Sequence, residues 1–547
     1  MNIVVYLIFY LTLFTLGEVI RSLVFKDQTK IFGINISVFN PLFFLFFAAN
    51  TVFFLNFFLP GLSIVYGVWI FSFLTLFLKL KTIKFDFVFL IPPLIISAFL
   101  GFSIYGIKFH YDAGFYHFLN QSWIISEKVV FGLSNIMFPL GNQSLYEYLS
   151  TLFWVSDNFI NLHYLNLSFI TVFFHFIFEI TKNGNSNFLR LAGMTLTVFG
   201  FLDNVGYKGG ANGFPNLQHI GKPDITVAVL VIIFNVLIIN YLLSNDTSHI
   251  NMKLILFFGI FLIQIKPTSM YILLIIFIHF LSTKFSFLKA KSNFRFIISA
   301  VVLNFFWILK NVITTGCLLF PVSFTCFYSL PWSNQNLVNE ANKHYSDTYL
   351  PYKIGTNPVE WFANWREVNV NNQIMINYLL SFICIYFLLK LFTDKYNRKS
   401  STSFAVKAYL WISLISFFIS VPLFRYSYGI LSSLILVLIV DRSLKFDLSQ
   451  KKILNNLVLI LILISPGLVV RGYSYINFVN MPTNYIELKI PSIQFTKSQF
   501  YGELPIKETL NPNQKCWINI QCNPEDKQIS KREYFGYVFL SEEKDLS

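Results

Sequence analysis

The residues of this chain with the clearest chemical potential lie in the segment Tyr111–His117, directly after the apolar run 85–105. An aspartate at the end of an apolar helix is costly to hold near hydrocarbon, so Asp112 is a functional candidate. Its carboxylate could accept a proton from a hydroxyl group. On an α-helix, Tyr116 and His117 would lie one turn further along on the same side. Tyr111, Tyr116 and His117 are therefore predicted to bind substrate, His117 as a hydrogen-bond partner more than as a base. The alternative is that Asp112 caps the following helix.

Four further charged residues lie at the ends of apolar runs: Asp203, Lys222, Asp224 and Lys266. Either aspartate could be the partner of Asp112, by holding a divalent metal ion or by orienting an acceptor. The two lysines could neutralise a phosphate carried on a lipid, and snorkelling of their ammonium groups to the interface is the alternative. The segment 203–222 also holds four glycines within eight residues, which suits either a phosphate-binding loop or a flexible turn.

Arg425 lies between two apolar runs, where a cation needs a partner. A phosphate or a sugar carboxylate would serve, and an ion pair with one of the aspartates is the structural alternative. Three tryptophans in the segment 315–372, Trp332, Trp361 and Trp365, could offer flat apolar faces to sugar rings. An interfacial tryptophan belt is the structural alternative, and it is the preferred interpretation for any single one of them.

The composition indicates that these residues belong to a membrane protein. Hydrophobic residues make up 55% of the chain and charged residues only 12%, against about 25% charged in soluble proteins. The net charge of +14 does not indicate nucleic-acid binding, because the basic residues lie in short loops between apolar runs. We expect an all-α polytopic protein of about 12 to 14 spans. The predicted spans are 3–24, 36–58, 61–78, 85–105, 161–181, 188–203, 223–243, 252–266, 268–282, 294–314, 373–392, 404–424, 426–440 and 453–470.

The excess of Lys and Arg in loops predicts the topology. Six basic clusters fall on one side of this arrangement, which is therefore predicted to be cytoplasmic, and both termini face outward. The first span lacks a basic leader and a cleavage site, so we expect it to be retained. The run 143–157 must then be an interfacial or re-entrant helix. The outer segments are 106–160, 203–222 and 315–372, and 471–547 is predicted to be a small extracytoplasmic tail domain after a transmembrane domain 1–470.

Five cysteines fit this topology. Cys516 and Cys522 in the outer tail are predicted to form a disulfide, which an oxidising compartment permits. Cys317 and Cys326 could pair as well. Zinc binding is disfavoured, because no nearby His or Cys set has ligand spacing.

Several of these motifs resemble one known group of proteins. The match is to large bacterial membrane proteins linked to surface-polysaccharide loci, which in turn look like glycosyltransferases of the GT-C fold. The matching segments, in chain order, are Tyr111–His117, Gly132–Asn135, Leu140–Ser144, Lys310–Asn311 with Gly316–Pro321, Arg425–Gly429, and Cys516–Trp517 with Cys522.

The resemblance implies that Asp112 is a catalytic base or metal-associated acid, although no Asp-x-Asp or Asp-Glu pair accompanies it. The resulting hypothesis is an inner-membrane glycosyltransferase with an outward-facing site. It would move a sugar from a polyprenyl-phosphate donor to a glycan or lipid acceptor. A polysaccharide polymerase or ligase is the alternative enzyme, and it would depend more on outer arginines. A flippase or transporter would instead carry charges along a midplane path.

Overall fold

The fold is known from a computed structural model, and it is mostly helical. The structure describes residues 2–25, 28–79, 87–155, 158–205, 219–244, 249–282, 293–368, 372–373, 375–376, 404–420, 422, 432–434, 436–437, 487–490, 516–520 and 529–542. The helices are α1 Asn2–Val24, α2 Asn40–Leu55, α3 Gly61–Lys79, α4 Phe87–Leu100, α5 Phe118–Ser126, α6 Leu145–Thr151, α7 Ile160–Asn183, α8 Asn187–Val205, α9 Asp224–Ser244, α10 His249–Ile265, α11 Tyr271–Ser282, α12 Phe294–Thr315, α13 Gln335–Tyr349, α14 Pro358–Val368 and α15 Phe404–Ile419. The strands are β1 Lys30–Ile31, β2 Ile34–Asn35, β3 Lys108–Phe109, β4 His219–Ile220, β5 Ile529–Tyr534 and β6 Tyr537–Glu542.

The first ten predicted spans each coincide with a described helix. Among the described residues, six helices are long and apolar enough to cross a membrane, and four shorter apolar helices accompany them. About 20 apolar residues are needed to cross the hydrocarbon core as a helix. The chain is therefore a mostly helical, multi-pass membrane protein. The predicted spans 373–392, 426–440 and 453–470 lie outside the described residues or almost wholly so.

One end of the bundle, here called the hairpin end, gathers the turns that follow α1 and α7. The β1–β2 hairpin packs there against the end of α7, where the Asn185 amide donates to the Phe32 carbonyl over 3.2 Å. Ser186 also donates to Asn240 near the end of α9, over 2.7 Å. Arg21, in the last turn of α1, lies at this end. The turns after α1 and α7, two of the six basic clusters, therefore lie at one end of the bundle, and the cytoplasmic side expected of the six clusters stays a prediction.

The opposite end, here called the site end, gathers the longer connections. The Asn56 side chain, after α2, donates to the carbonyls of Ile124 and Glu127. Ser144 donates to the Ile265 carbonyl at the end of α10 over 2.7 Å. The described parts of segments 106–160, 203–222 and 315–372 all meet at this end.

The run 143–157 forms only a short helix. Helix α6 has seven residues, all of them buried, and Ser144 caps it by accepting a hydrogen bond from the Tyr146 amide. At about 1.5 Å per residue, this helix is far too short to cross a bilayer. It packs against α2 and α5 inside the protein, which agrees with the expectation that this run does not cross.

The last turn of α12 is capped by the first outer segment. The Gly132 amide donates to the Ile313 carbonyl over 2.9 Å, and the Ser134 hydroxyl donates to the Thr314 carbonyl over 3.0 Å. The Trp332 indole donates to the Val312 carbonyl over 2.9 Å. The final carbonyls of a helix have no partner within the helix, so these bonds fix the first outer segment to the top of α12.

The described pieces of the predicted tail pack onto the same outer segment. Strands β5 and β6 form an antiparallel hairpin, and Phe131 exchanges backbone hydrogen bonds with Val538 and Leu540 over 2.9 and 2.8 Å. Leu540 and Cys516 share a hydrophobic core with Leu119. The described pieces of the tail therefore lie at the site end, and the outward position expected of the tail stays a prediction.

Two cysteine predictions have different outcomes. Cys317 and Cys326 form a disulfide across nine residues at the start of the third outer segment. Cys516 is also disulfide-bonded, but its predicted partner Cys522 lies outside the described residues.

Candidate functional site

Segments 106–160 and 203–222 are joined by a pair of short strands, and an aspartate follows each strand. Strands β3 and β4 pair in parallel, with Lys108 opposite His219, and the His110 amide donates to the Ile220 carbonyl over 3.0 Å. Because parallel strands run in the same direction, the residues after each strand leave at the same edge. Asp112 follows β3 and Asp224 follows β4, so the pairing brings both aspartates to one place.

Gly221 allows the second segment to approach the first this closely. Its φ is +90°, and a Cβ at this position would overlap the Cβ of Ala113. Positive φ is costly for a side-chain-bearing residue. The backbone of Gly221 therefore touches the helical turn that carries Asp112 and His117.

A cavity of about 1160 Å³ opens at this junction. Its walls come from the turn after β3, the start of α6, the start of α9, the α10–α11 turn, α12 and α13. The predicted site residues that line it are Tyr111, Asp112, Tyr116, His117, Lys222, Asp224 and Lys266. The tertiary structure thus brings together seven residues that the sequence spreads over about 150 positions.

The helix that carries Asp112 contains a π-helical turn over Ala113–His117. The Phe118 amide donates to the Ala113 carbonyl, five residues back, so residues five apart share a face. His117 therefore follows Asp112 along the cavity wall through a wider turn than the predicted α-helix. Such π-turns are frequent at functional sites.

The Asp112 side chain makes no capping hydrogen bond to this turn in the described chain. Its Oδ2 lies 3.4 Å from His110 Nδ1, and the side chain is 24% exposed. The interpretation of Asp112 as a helix cap was therefore wrong. The carboxylate lines the cavity, where a bound ligand could contact it.

A buried polar chain lies behind His117. Its Nδ1 is 2.5 Å from Glu147 Oε1, and Gln121 donates to the other Glu147 oxygen over 2.7 Å. Trp154 in turn donates to the Gln121 side-chain oxygen over 2.8 Å. His117, Glu147 and Gln121 are all at most 5% exposed. Buried charged groups persist only when they are paired and hydrogen-bonded.

Glu147 and Gln121 were not among the site residues predicted from the sequence. One available signal was an acidic residue within the apolar run 143–157, which was predicted not to cross the membrane. Glu147 places a carboxylate within a fully buried helix, where it affects the neighbouring tyrosines. Burial, with the Glu147 charge second, raises the pKa of both Tyr146 and Tyr148 well above the usual range.

Lys222 and Asp224 form an almost buried ion pair at the start of α9. Lys222 Nζ lies 3.4 Å from Asp224 Oδ2, and the side chains are 6% and 9% exposed. Lys266, at the α10–α11 turn, is half-buried. Nearby, burial lowers the pKa of His219, and the charges of Lys222 and Lys108 lower it further. The lowered pKa of His219 therefore reflects in part the positive charge of Lys222 and Lys108.

Aromatic side chains line two sides of the cavity. Tyr111 stacks on Phe115 with ring centroids 5.9 Å apart, and Tyr345 stacks on Tyr349 at 5.7 Å. Aromatic faces of this kind suit sugar rings and other partly apolar ligands.

The tryptophans of segment 315–372 were expected to offer flat faces to sugar rings, but their indoles donate hydrogen bonds to backbone carbonyls. Trp361 and Trp365 donate to the carbonyls of Leu350 and Pro422, and Trp332 caps α12. Of these three described side chains, none lines the cavity.

The tail also touches the site. The Trp517 amide donates to the Gly114 carbonyl within the π-turn over 2.9 Å, and the Trp517 ring packs on Phe109 at 5.1 Å. The tail thus supports the turn that carries Asp112.

The remaining predictions have no structural outcome. Arg425 lies outside the described residues, and nothing is described of the Asp203 side chain in α8. Within the described chain, no group of three or more His, Cys, Asp and Glu side chains is arranged to hold a metal ion.

Comparison with known proteins gives a family and no function. No curated protein and no solved structure matches the chain significantly. Residues 1–432 match the model of a family described as "Domain of unknown function (DUF8201)", a match that covers most of the chain and every residue that lines the cavity. The chain therefore belongs to the DUF8201 family.

Proposed function

We propose that this protein is a membrane glycosyltransferase that moves a sugar from a polyprenyl-phosphate donor to a cell-surface glycan or lipid acceptor. The observation that carries the proposal is the single cavity that holds the Asp112 carboxylate together with Lys222 and Lys266. A base for a hydroxyl and cations for a phosphate are the two requirements of this reaction.

In the proposed reaction, Asp112 accepts the proton of the acceptor hydroxyl. The hydroxyl oxygen attacks the anomeric carbon, and the bond from that carbon to the phosphate oxygen breaks. Lys222 and Lys266 stabilise the negative charge that collects on the departing phosphate, which is the kind of preorganised electrostatics that often contributes most to catalysis. Because Asp224 holds Lys222, it would position that cation.

The location of the cavity supports a lipid donor. It lies at one end of the apolar bundle, and α12 contributes both to the cavity, through Trp307 and Asn311, and to the outer apolar surface, through Phe305. A donor with a hydrocarbon tail can keep the tail in the bilayer while its phosphate reaches the lysines. The same cavity would also fit a polysaccharide polymerase, in which Arg425 would take a larger part.

The orientation is part of the proposal. We place the site end outside an inner bacterial membrane, because the basic turns gather at the hairpin end. A periplasm-active reporter fused after Asn480 should be active, whereas the same reporter fused after Lys399 should be silent. The reverse pattern would contradict the outward-facing site.

The catalytic claim is tested by Asp112→Asn, which keeps the side-chain size and removes the proton acceptor. A positioned base contributes about 10² to 10⁴ in rate, so this variant should fail to restore surface polysaccharide in a deletion strain. Glu360→Gln, an equivalent change at an exposed position on α14, should restore it at the same expression level. Full polysaccharide from Asp112→Asn would refute the role of Asp112 as base.

A further inference from the structure

His117 presents one ring nitrogen to the cavity. An ionised carboxylate accepts hydrogen bonds, and we assign the Nδ1 atom that faces Glu147 at 2.5 Å as the donor. No described residue makes a hydrogen bond at the other nitrogen, Nε2, and the side chain lines the cavity. Nε2 is therefore the atom that a bound substrate would meet.

Glu147 fixes the His117 ring as part of a hydrogen-bonded network. Its two oxygens are both occupied, by His117 and by Gln121, and Gln121 is in turn fixed by Trp154. A ring nitrogen held by a carboxylate has a fixed orientation, and the carboxylate offsets the positive charge when the ring is doubly protonated. The same arrangement orients imidazoles that transfer protons in other enzymes.

Each of the two lysines proposed to bind phosphate lines the same cavity as the pair and follows a residue that contacts an element of the pair. On one side, Gly221 abuts Ala113, which places Lys222 beside the turn that carries His117. On the other side, Ser144 at the start of the Glu147 helix donates to Ile265, the residue before Lys266. A phosphate held by both lysines would therefore lie in front of the His117–Glu147 pair.

We propose that His117 is a second catalytic residue, the general acid that protonates the departing phosphate, and that Glu147 is its positioning residue. This inference rests on the proposed function and adds the group that acts on the leaving side. Asp112 and His117 would then divide the two proton transfers between the acceptor and the leaving group.

The bond from the anomeric carbon to the phosphate oxygen breaks, and its electron pair stays on that oxygen, which takes the proton from His117 Nε2. The acceptor oxygen forms the new bond to carbon, and its proton passes to Asp112. Asp112 ends protonated and His117 neutral, and one proton exchanged through solvent restores both groups.

The test uses the full chain in detergent and a C55 polyprenyl monophosphate as the probe, which is the lipid product of the proposed reaction. Diethyl pyrocarbonate acylates unprotonated imidazole, and mass spectrometry of peptides follows the modification of His117. At a probe concentration ten times the measured Kd, occupancy predicts modification about elevenfold slower. His344, an exposed residue on α13 without a contact to Glu147, is the internal control for the effect of Glu147; because it lines the same cavity, it is not a control for the probe.

A second variant separates positioning from packing. Glu147→Gln keeps the shape and the acceptor oxygen but replaces a carboxylate by a neutral amide, which cannot offset a positive charge on a neighbouring imidazole. Modification of His117 without the probe should therefore be several-fold faster in this variant, and modification of His344 should be unchanged. Equal His117 rates in the variant and the natural protein would show a merely structural role for Glu147 and overturn that half of the proposal.

The remaining outcomes distinguish the two proposals. If the probe binds, as measured by native mass spectrometry, but does not slow the modification of His117, the general-acid role fails while the lipid-phosphate site stands. If the probe does not bind at all, the proposed donor class is wrong and the role of His117 fails with it. Protection of His117 in the natural protein, weakened in Glu147→Gln, would support the assignment.

Discussion

Replacement of Gly221 by alanine would test the contact that joins the two outer segments. Gly221 has a φ of +90°, and an added Cβ would overlap the Cβ of Ala113 in the π-turn. Two costs follow from this geometry. Strain at a positive φ is worth about 1 to 3 kcal/mol, and overpacking against Ala113 is worth about another 1 to 3 kcal/mol.

The expected loss of stability for Gly221→Ala is therefore roughly 2 to 6 kcal/mol. It can be measured as the free energy of unfolding in mixed micelles titrated with SDS, followed by tryptophan fluorescence. Because the contact holds β4 beside β3, the variant should also expose Lys222, which is 5% exposed in the native fold. Acylation of the Lys222 side chain by an amine-reactive ester, located by peptide mass spectrometry, reports this opening directly; trypsin would not, because Pro223 follows Lys222.

The partner substitution separates the two costs. Ala113→Gly removes the overlapping atom. The loss of unfolding free energy in the double variant should therefore be about 1 to 3 kcal/mol smaller than the sum of the losses in Gly221→Ala and Ala113→Gly. The φ strain should remain in the double variant. Effects of the two substitutions that add within about 0.5 kcal/mol would refute the packing of Gly221 against the π-turn.

Three further predictions concern the same end of the molecule. Alkylation of unreduced protein should leave Cys317 and Cys326 unmodified, and Cys326→Ser should cost about 2 to 3 kcal/mol by loop entropy over their nine-residue separation; free thiols at both would contradict the pair. Peptide mapping should link Cys516 to Cys522, and a link to any other cysteine would show that prediction to be wrong. The pKa of His219 is lowered by burial and by neighbouring lysines, so the unfolded chain binds this proton more readily and stability should fall as the pH drops below about 6.5. His219→Gln should flatten that fall between about pH 7 and pH 5, and an unchanged slope would argue against it.

The sequence by itself determined the helices and their alternation across the bundle. Apolar runs of membrane length leave little choice, because a backbone in hydrocarbon must satisfy its own hydrogen bonds. The basic turns then predict which ends lie together, and the contact of Phe32 with Asn185 agrees with that prediction. The sequence also singled out the segment Tyr111–His117 as a candidate, since a carboxylate beside a span is costly, and the segment does line the cavity.

Only the tertiary structure decided which residues surround the segment Tyr111–His117. Parallel pairing of β3 with β4 depends on two residues in each strand, which is too short a pattern to predict. The tail contact of Trp517 with Gly114 joins positions about 400 apart, and no local pattern records such a contact. Glu147 belongs to a seven-residue helix whose burial comes from α2 and α5. Its partner His117 is thirty positions away, so the distance between them was fixed by packing and not by spacing along the chain.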